Sequence, residues 1–107
     1  MEVRIQAHVY SFYEHNAPTY RIWVNDNLYT EREFWTNPYE NYVIENLIID
    51  VEPGIHTLTL EKVRPRYGEW VWIERTLIEF ENNTVDNLYG IEKQDKQTIN
   101  FKISLVA

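Results

Sequence analysis

The chain has 107 residues and a formal net charge of −7, from 17 acidic and 10 basic side chains. It is long enough for one core and too short for a site between two domains, and its acidity disfavours a nucleic-acid partner, since affinity for phosphate comes largely from Lys and Arg. Cysteine is absent, which removes disulfides, thiolate metal sites and cysteine nucleophiles together.

The first strand is expected over Val3 to Val9, with Val3, Ile5, Ala7 and Val9 on one face and Arg4, Gln6 and His8 on the other. A chain that opens this way has no basic, apolar and small-residue run of the signal-peptide kind. Nor does any stretch approach the roughly 20 apolar residues that span a bilayer, so neither secretion by that route nor membrane insertion is expected. Ser11 to Thr19 is expected to be a loop. Tyr20 to Val24 forms a second strand, and Asn25-Asp26-Asn27, whose side chains tolerate positive φ, turns it into a third over Leu28 to Trp35. Thr36-Asn37-Pro38-Tyr39 breaks the chain, and Tyr42 to Val51 resumes it with Val43, Leu47, Ile49 and Val51 in phase. Pro53-Gly54 then turns into a strand over Ile55 to Val63.

Arg64-Pro65-Arg66-Tyr67-Gly68-Glu69 reads as a loop before a long strand, Trp70 to Phe80. Val71 and Ile73 share one face of that strand while Ile78 and Phe80 share the other, which predicts a bulge at Glu74-Arg75. Asn82 to Gln97 is expected to be a long loop with a short strand near Leu88 to Ile91, and Thr98 to Val106 a final alternating strand. About eight short strands separated by turn signals predict a single all-β domain over the whole chain, an antiparallel β-sandwich of jelly-roll-like type.

Aromatic residues make up 15% of the chain, with four Trp and eight Tyr, a heavy load for one small core. Alternation places Tyr20, Ile22 and Val24 on one face and Arg21, Trp23 and Asn25 on the other, so Trp23 points outward if the first face is core. Tyr29 and Trp35, on the Glu31 and Glu33 side of the next strand, can join it. Such rings stack on the C–H faces of sugars, or else pack across strands or against another protein. Tyr67 and Trp70, in Tyr67-Gly68-Glu69-Trp70-Val71-Trp72, form a second aromatic candidate; the competing expectation is that Trp70 and Trp72 fill the core and Tyr67 covers an edge.

Asn83, Asp86, Asn87, Glu92 and Asp95 crowd one irregular stretch, and hard oxygen donors of this kind suit Ca²⁺. Their spacing does not match an EF-hand loop, and His8, His15 and His56 are too scattered for a zinc motif. The only serines are Ser11 and Ser104, outside any nucleophile motif, and three glycines form no phosphate loop. A non-enzymatic chain is expected.

Tyr20-Arg21-Ile22-Trp23-Val24-Asn25-Asp26 followed by Glu52-Pro53-Gly54-Ile55-His56-Thr57-Leu58-Thr59-Leu60 resembles the jelly-roll carbohydrate-binding modules of the calcium-dependent, xylan-binding type. Thr76 to Leu88 looks like the strand, turn and strand in which those modules carry loop acids, here Asp86 with Asn83 and Asn87 as neutral donors. The resemblance covers roughly the central 70 residues. Similar free-standing modules occur among virion-associated proteins of tailed phages infecting marine cyanobacteria. The resemblance therefore implies a non-catalytic virion accessory or attachment protein, located in the virion or the cytoplasm of an infected host. Its aromatic sheet face would make protein or glycan contacts, with other subunits, whether virion components or copies of itself, or with polysaccharide. The alternative is a stand-alone, calcium-assisted polysaccharide binder.

Overall fold

A computed structural model of the protein describes residues 1–13, 17–34, 42–64, 69–81, 83–86, 91–93 and 95–104. Its elements are β1 (Glu2–Tyr13), β2 (Thr19–Val24), β3 (Asn27–Glu33), β4 (Tyr42–Asp50), β5 (Gly54–Val63), β6 (Glu69–Phe80), β7 (Asn83–Asp86), β8 (Ile91–Lys93) and β9 (Lys96–Ile103). They form two antiparallel sheets, a first of order β4-β1-β6-β7 and a second of order β3-β2-β5-β9-β8. The pairing is nested, with β1–β4 enclosing β2–β3 and β1–β6 enclosing β2–β5. The chain crosses between layers after β1, β3, β4, β5 and β7, and stays within one sheet at the β2–β3, β6–β7 and β8–β9 pairs. The predicted antiparallel sandwich is the observed architecture.

Period-two alternation decides which side of each strand is inside. Val3, Ile5, Ala7 and Val9 of β1 are buried, facing Tyr20, Ile22 and Val24 of β2, Leu58 and Leu60 of β5, and Ile99, Phe101 and Ile103 of β9 in one core. Each such aliphatic side chain contributes about 1.5–3 kcal/mol by leaving water. The phase of β6 switches as predicted: Val71 and Ile73 are buried before the switch and Thr76, Ile78 and Phe80 after it. His8 pairs with Arg75 and Val9 with Ile73, so Glu74 is the extra residue of a bulge.

Two polar devices join the layers. The Gln97 carboxamide of β9 accepts from the Ile73 N–H at 2.7 Å and donates to the Ile73 carbonyl at 2.9 Å, acting as a strand surrogate beside the bulge. Across the sandwich, Glu45 of β4 is only 3% exposed. It accepts the Tyr20 hydroxyl at 2.6 Å and the Arg32 guanidinium from β3. Burial first, and then the bond to the Glu45 carboxylate, push the Tyr20 phenol well above its ordinary pKa. The Glu45 bond likewise raises that of Arg32.

Several expectations are corrected. Ser11 to Tyr13 belong to β1 rather than to a loop, because Tyr10 to Tyr13 pair with Trp72 to Glu69. The stretch expected to be a long loop contains β7, paired with β6, and β8, paired with β9. Trp70 and Trp72 do not fill the core: they alternate with buried Val71 and Ile73, and Trp70 is 46% exposed.

Candidate functional site

Trp23 lies on the outward face of the second sheet, near the turn end of β2, where register builds its surroundings. It pairs with Thr59 of β5, and Thr59 pairs with Thr98 of β9, so two hydroxyl-bearing side chains continue its row. One row on, Arg21 pairs with Glu61, and Glu61 with Lys96. The signs alternate along this row. Arg21 Nε donates to Glu31 at 2.6 Å, its Nη1 lies 3.7 Å from Glu61, and Lys96 Nζ is 3.5 Å from the same carboxylate. The Glu31 bond, and more weakly Glu61, hold the Arg21 guanidinium above its ordinary pKa. Glu61 also accepts the Trp23 indole N–H at 3.3 Å, which orients the ring.

The β2–β3 turn closes the other end. Asn25 takes φ 53, as the turn requires, and its backbone N–H donates to the Thr57 carbonyl at 2.7 Å while its side-chain oxygen accepts the Thr57 N–H at 3.1 Å. His56 Nε2 lies 2.7 Å from the Glu52 carbonyl and so must donate, leaving Nδ1 to accept from the Asn25 amide at 3.1 Å. His56 also packs on Phe101, with ring centroids 5.7 Å apart. A fixed turn thus ends an open hollow of about 610 Å³ lined by Trp23, Asn25, Asp26, Thr57, Thr59, Glu61, Lys96 and Thr98. One indole, three threonine hydroxyls and a few charged groups line it. Such a hollow can accept a flat polar molecule with one apolar face.

Of the five residues expected to bind ligand, Trp23 and Tyr29 stand on this sheet. Tyr29 is 40% exposed and is the extra residue where β3 slips past β2, since Ile22 pairs with Thr30 and Trp23 with Leu28. Trp70 is on the other sheet. Its ring meets Phe12 at 5.7 Å beside a stack of Tyr42, Tyr10 and Trp72, with centroids 5.7 and 6.2 Å apart. Trp35 and Tyr67 lie outside the described residues.

Of the expected calcium donors Asn83, Asp86 and Asn87, only Asn83 has a described side chain. Asn83 and Asp86 sit at opposite ends of β7, paired with Phe80 and Leu77, hence about 10 Å apart along an extended strand. The Asn83 amide donates to the Glu81 carbonyl at 3.2 Å, and Asn87 lies outside the described residues. No three His, Cys, Asp or Glu side chains converge on a metal position among the described residues. Among the described residues, no helix is long and apolar enough to cross a membrane.

Sequence reasoning missed Thr57, Thr59, Glu61, Lys96 and Thr98. Their signal was the alternation of Thr57, Thr59 and Glu61 with Leu58 and Leu60, but alignment with Trp23 depends on pairing between non-consecutive strands. In comparisons with known proteins, no family model, curated protein or solved structure matches the chain.

Proposed function

We propose that the protein is a non-catalytic carbohydrate-binding module that takes a polysaccharide strand in the hollow beside Trp23. The observation that carries this reading is the row Trp23–Thr59–Thr98 in an open, hydroxyl-lined trough. A pyranose has an apolar C–H face for the indole and equatorial hydroxyls for the threonines, Glu61 and Asn25. Each contact is modest, so affinity grows with the number of sugar units engaged, as suits a polymer. Every contact that this reading uses comes from Trp23, the threonines, Glu61 and Asn25, so binding should need no calcium.

A glycan array that includes soluble xylan, run with calcium and with chelator, tests this. Binding that survives chelation and falls at least tenfold in Trp23→Ala, with the melting curve nearly unchanged, is the expected result. Silence across the array, or binding indifferent to Trp23→Ala, overturns it.

A second reading is favoured by the first sheet, where Phe12 is 62% and Ile48 is 63% exposed. Apolar side chains at that exposure suit contact with other protein subunits. The module would then be an attachment component of a larger assembly, such as a virion, anchored by one face and presenting the trough on the other.

A further inference from the structure

Four strands end the two sheets, and three carry protection against pairing with another chain. β7 and β8 have four and three residues, while β3 carries Glu31, Arg32 and Glu33 and a register slip. Short, charged or bulged edges resist strand addition. β4 is neither short nor bulged, and its two charged residues, Glu45 and Asp50, are both bonded within the chain, Asp50 to the Met1 ammonium at 2.7 Å. It runs nine residues, Tyr-Val-Ile-Glu-Asn-Leu-Ile-Ile-Asp, without Pro, Lys or Arg, and pairs with β1 without a slip. Its one inward charge, Glu45, is engaged by Tyr20 and Arg32 inside the sandwich.

The direction of the backbone groups that no described strand pairs follows from one hydrogen bond. Val51 N–H donates to the Met1 carbonyl at 3.0 Å, so odd-numbered residues here aim their backbone groups at β1. By the alternation of an antiparallel ladder, Tyr42, Ile44, Asn46, Ile48 and Asp50 aim theirs at the outer edge. These same residues share the outward side-chain face, where Ile44 is 42% and Ile48 is 63% exposed.

We propose that two copies of the chain pair β4 against β4, antiparallel about a two-fold axis through Asn46, joining their four-stranded sheets into one of eight strands. In this register Ile44 of each copy faces Ile48 of the other, Asn46 faces Asn46, and Tyr42 faces Asp50. Every outward backbone group meets a complementary one. Two chains of charge −7 repel overall, but the seam brings no like charges opposite each other: Asp50 meets Tyr42, and Glu45 meets Leu47. A nine-residue strand is about 31 Å long, and the molecule is 20 Å across its shortest axis. The side of the molecule along this seam therefore offers at most about 600 Å² per copy, about 1,200 Å² in total, against the roughly 1,000 Å² in total that a specific interface needs. The arrangement is independent of the trough.

Because the chain has no cysteine, single cysteines read the register. Asn46→Cys places two thiols on a directly opposed pair, about 5.5 Å apart at Cα and within disulfide reach. Ile48→Cys leaves its two copies about 13 Å apart, out of reach. The expected result is a dimer in sedimentation equilibrium for the wild type, efficient oxidative cross-linking of Asn46→Cys and little of Ile48→Cys. Ile48→Lys, at an exposed position, should give a folded monomer by circular dichroism and sedimentation. A wild type that stays monomeric from micromolar to millimolar concentration overturns the proposal. So does equal cross-linking of the two cysteine variants, or a dimer that survives Ile48→Lys.

Discussion

On the outer face of the first sheet, Trp72 lies against Tyr10 and Trp70 against Phe12, ring on ring. On the outer face of the second, Trp23 has Thr59 as its cross-strand neighbour and Glu61 at its indole N–H, and no described ring stacks on it. The difference lies in what remains for a ligand. Mutually stacked rings have spent much of their area on each other, which stabilises the sheet. A lone indole among hydroxyls keeps a face for a partner. The two tryptophan environments therefore predict separable phenotypes, stability from one and binding from the other.

The largest expected effect is common to both faces and tests whether they can be compared independently. Glu45→Ala removes the acceptor of the buried Tyr20 hydroxyl and unties β3 from β4, and should cost about 3 kcal/mol in urea denaturation. Both faces should suffer together, with ligand binding falling only as the folded fraction falls. A loss below about 1 kcal/mol would mean that the bridge is no more than a surface ion pair.

Trp72→Ala should come next, at about 2 kcal/mol from lost ring contact and burial. Trp72 also donates its indole N–H to Glu74 at 2.6 Å. Binding in the trough should be unchanged by this substitution under conditions where the variant is folded. A variant that keeps its stability but loses ligand would reverse the roles assigned to the two faces.

This contrast was only partly legible in the sequence. The outward direction of Trp23 followed from parity with Tyr20, Ile22 and Val24, all buried. The outward direction of Trp70 and Trp72 was equally available from Val71 and Ile73, but the expectation that large rings fill cores prevailed over parity. Glu45 occupies the inward phase of Leu47 and Ile49, so a charge on a buried face was visible while its partners were not. Tyr20 and Arg32 meet it through packing of one sheet on the other, which local alternation does not encode. The threonine row likewise required the β2–β5–β9 register.

A smaller effect comes from pH. The folded Tyr20 pKa is raised, chiefly by burial and then by the Glu45 bond. Its contribution is therefore complete below the ordinary phenol value and declines as pH rises beyond about 10, where the unfolded chain ionises first. The slope for one group is at most about 1.4 kcal/mol per pH unit. Tyr20→Phe removes this titration, so the stability advantage of wild type over Tyr20→Phe should narrow between pH 10 and 11 in denaturant melts, a window set by the same reference value. A gap that stays constant would show that the phenol titrates alike in both states.

The smallest effect concerns the inner side of the sheet whose outer side is aromatic. Thr76 pairs with Ala7 just beyond the bulge and is fully buried, and its hydroxyl has no partner among the described residues. A buried hydroxyl without a hydrogen bond is a standing cost, so Thr76→Val, which keeps the shape, should raise stability by up to about 1 kcal/mol. Neither binding nor the response to Trp72→Ala should change, because the substituted group faces the core. If Thr76→Val destabilises instead, the hydroxyl has an acceptor in the folded protein. The inner layer beside the bulge would then be held by polar contacts as well as packing, and the stability assigned to the aromatic outer face would have to be shared with it.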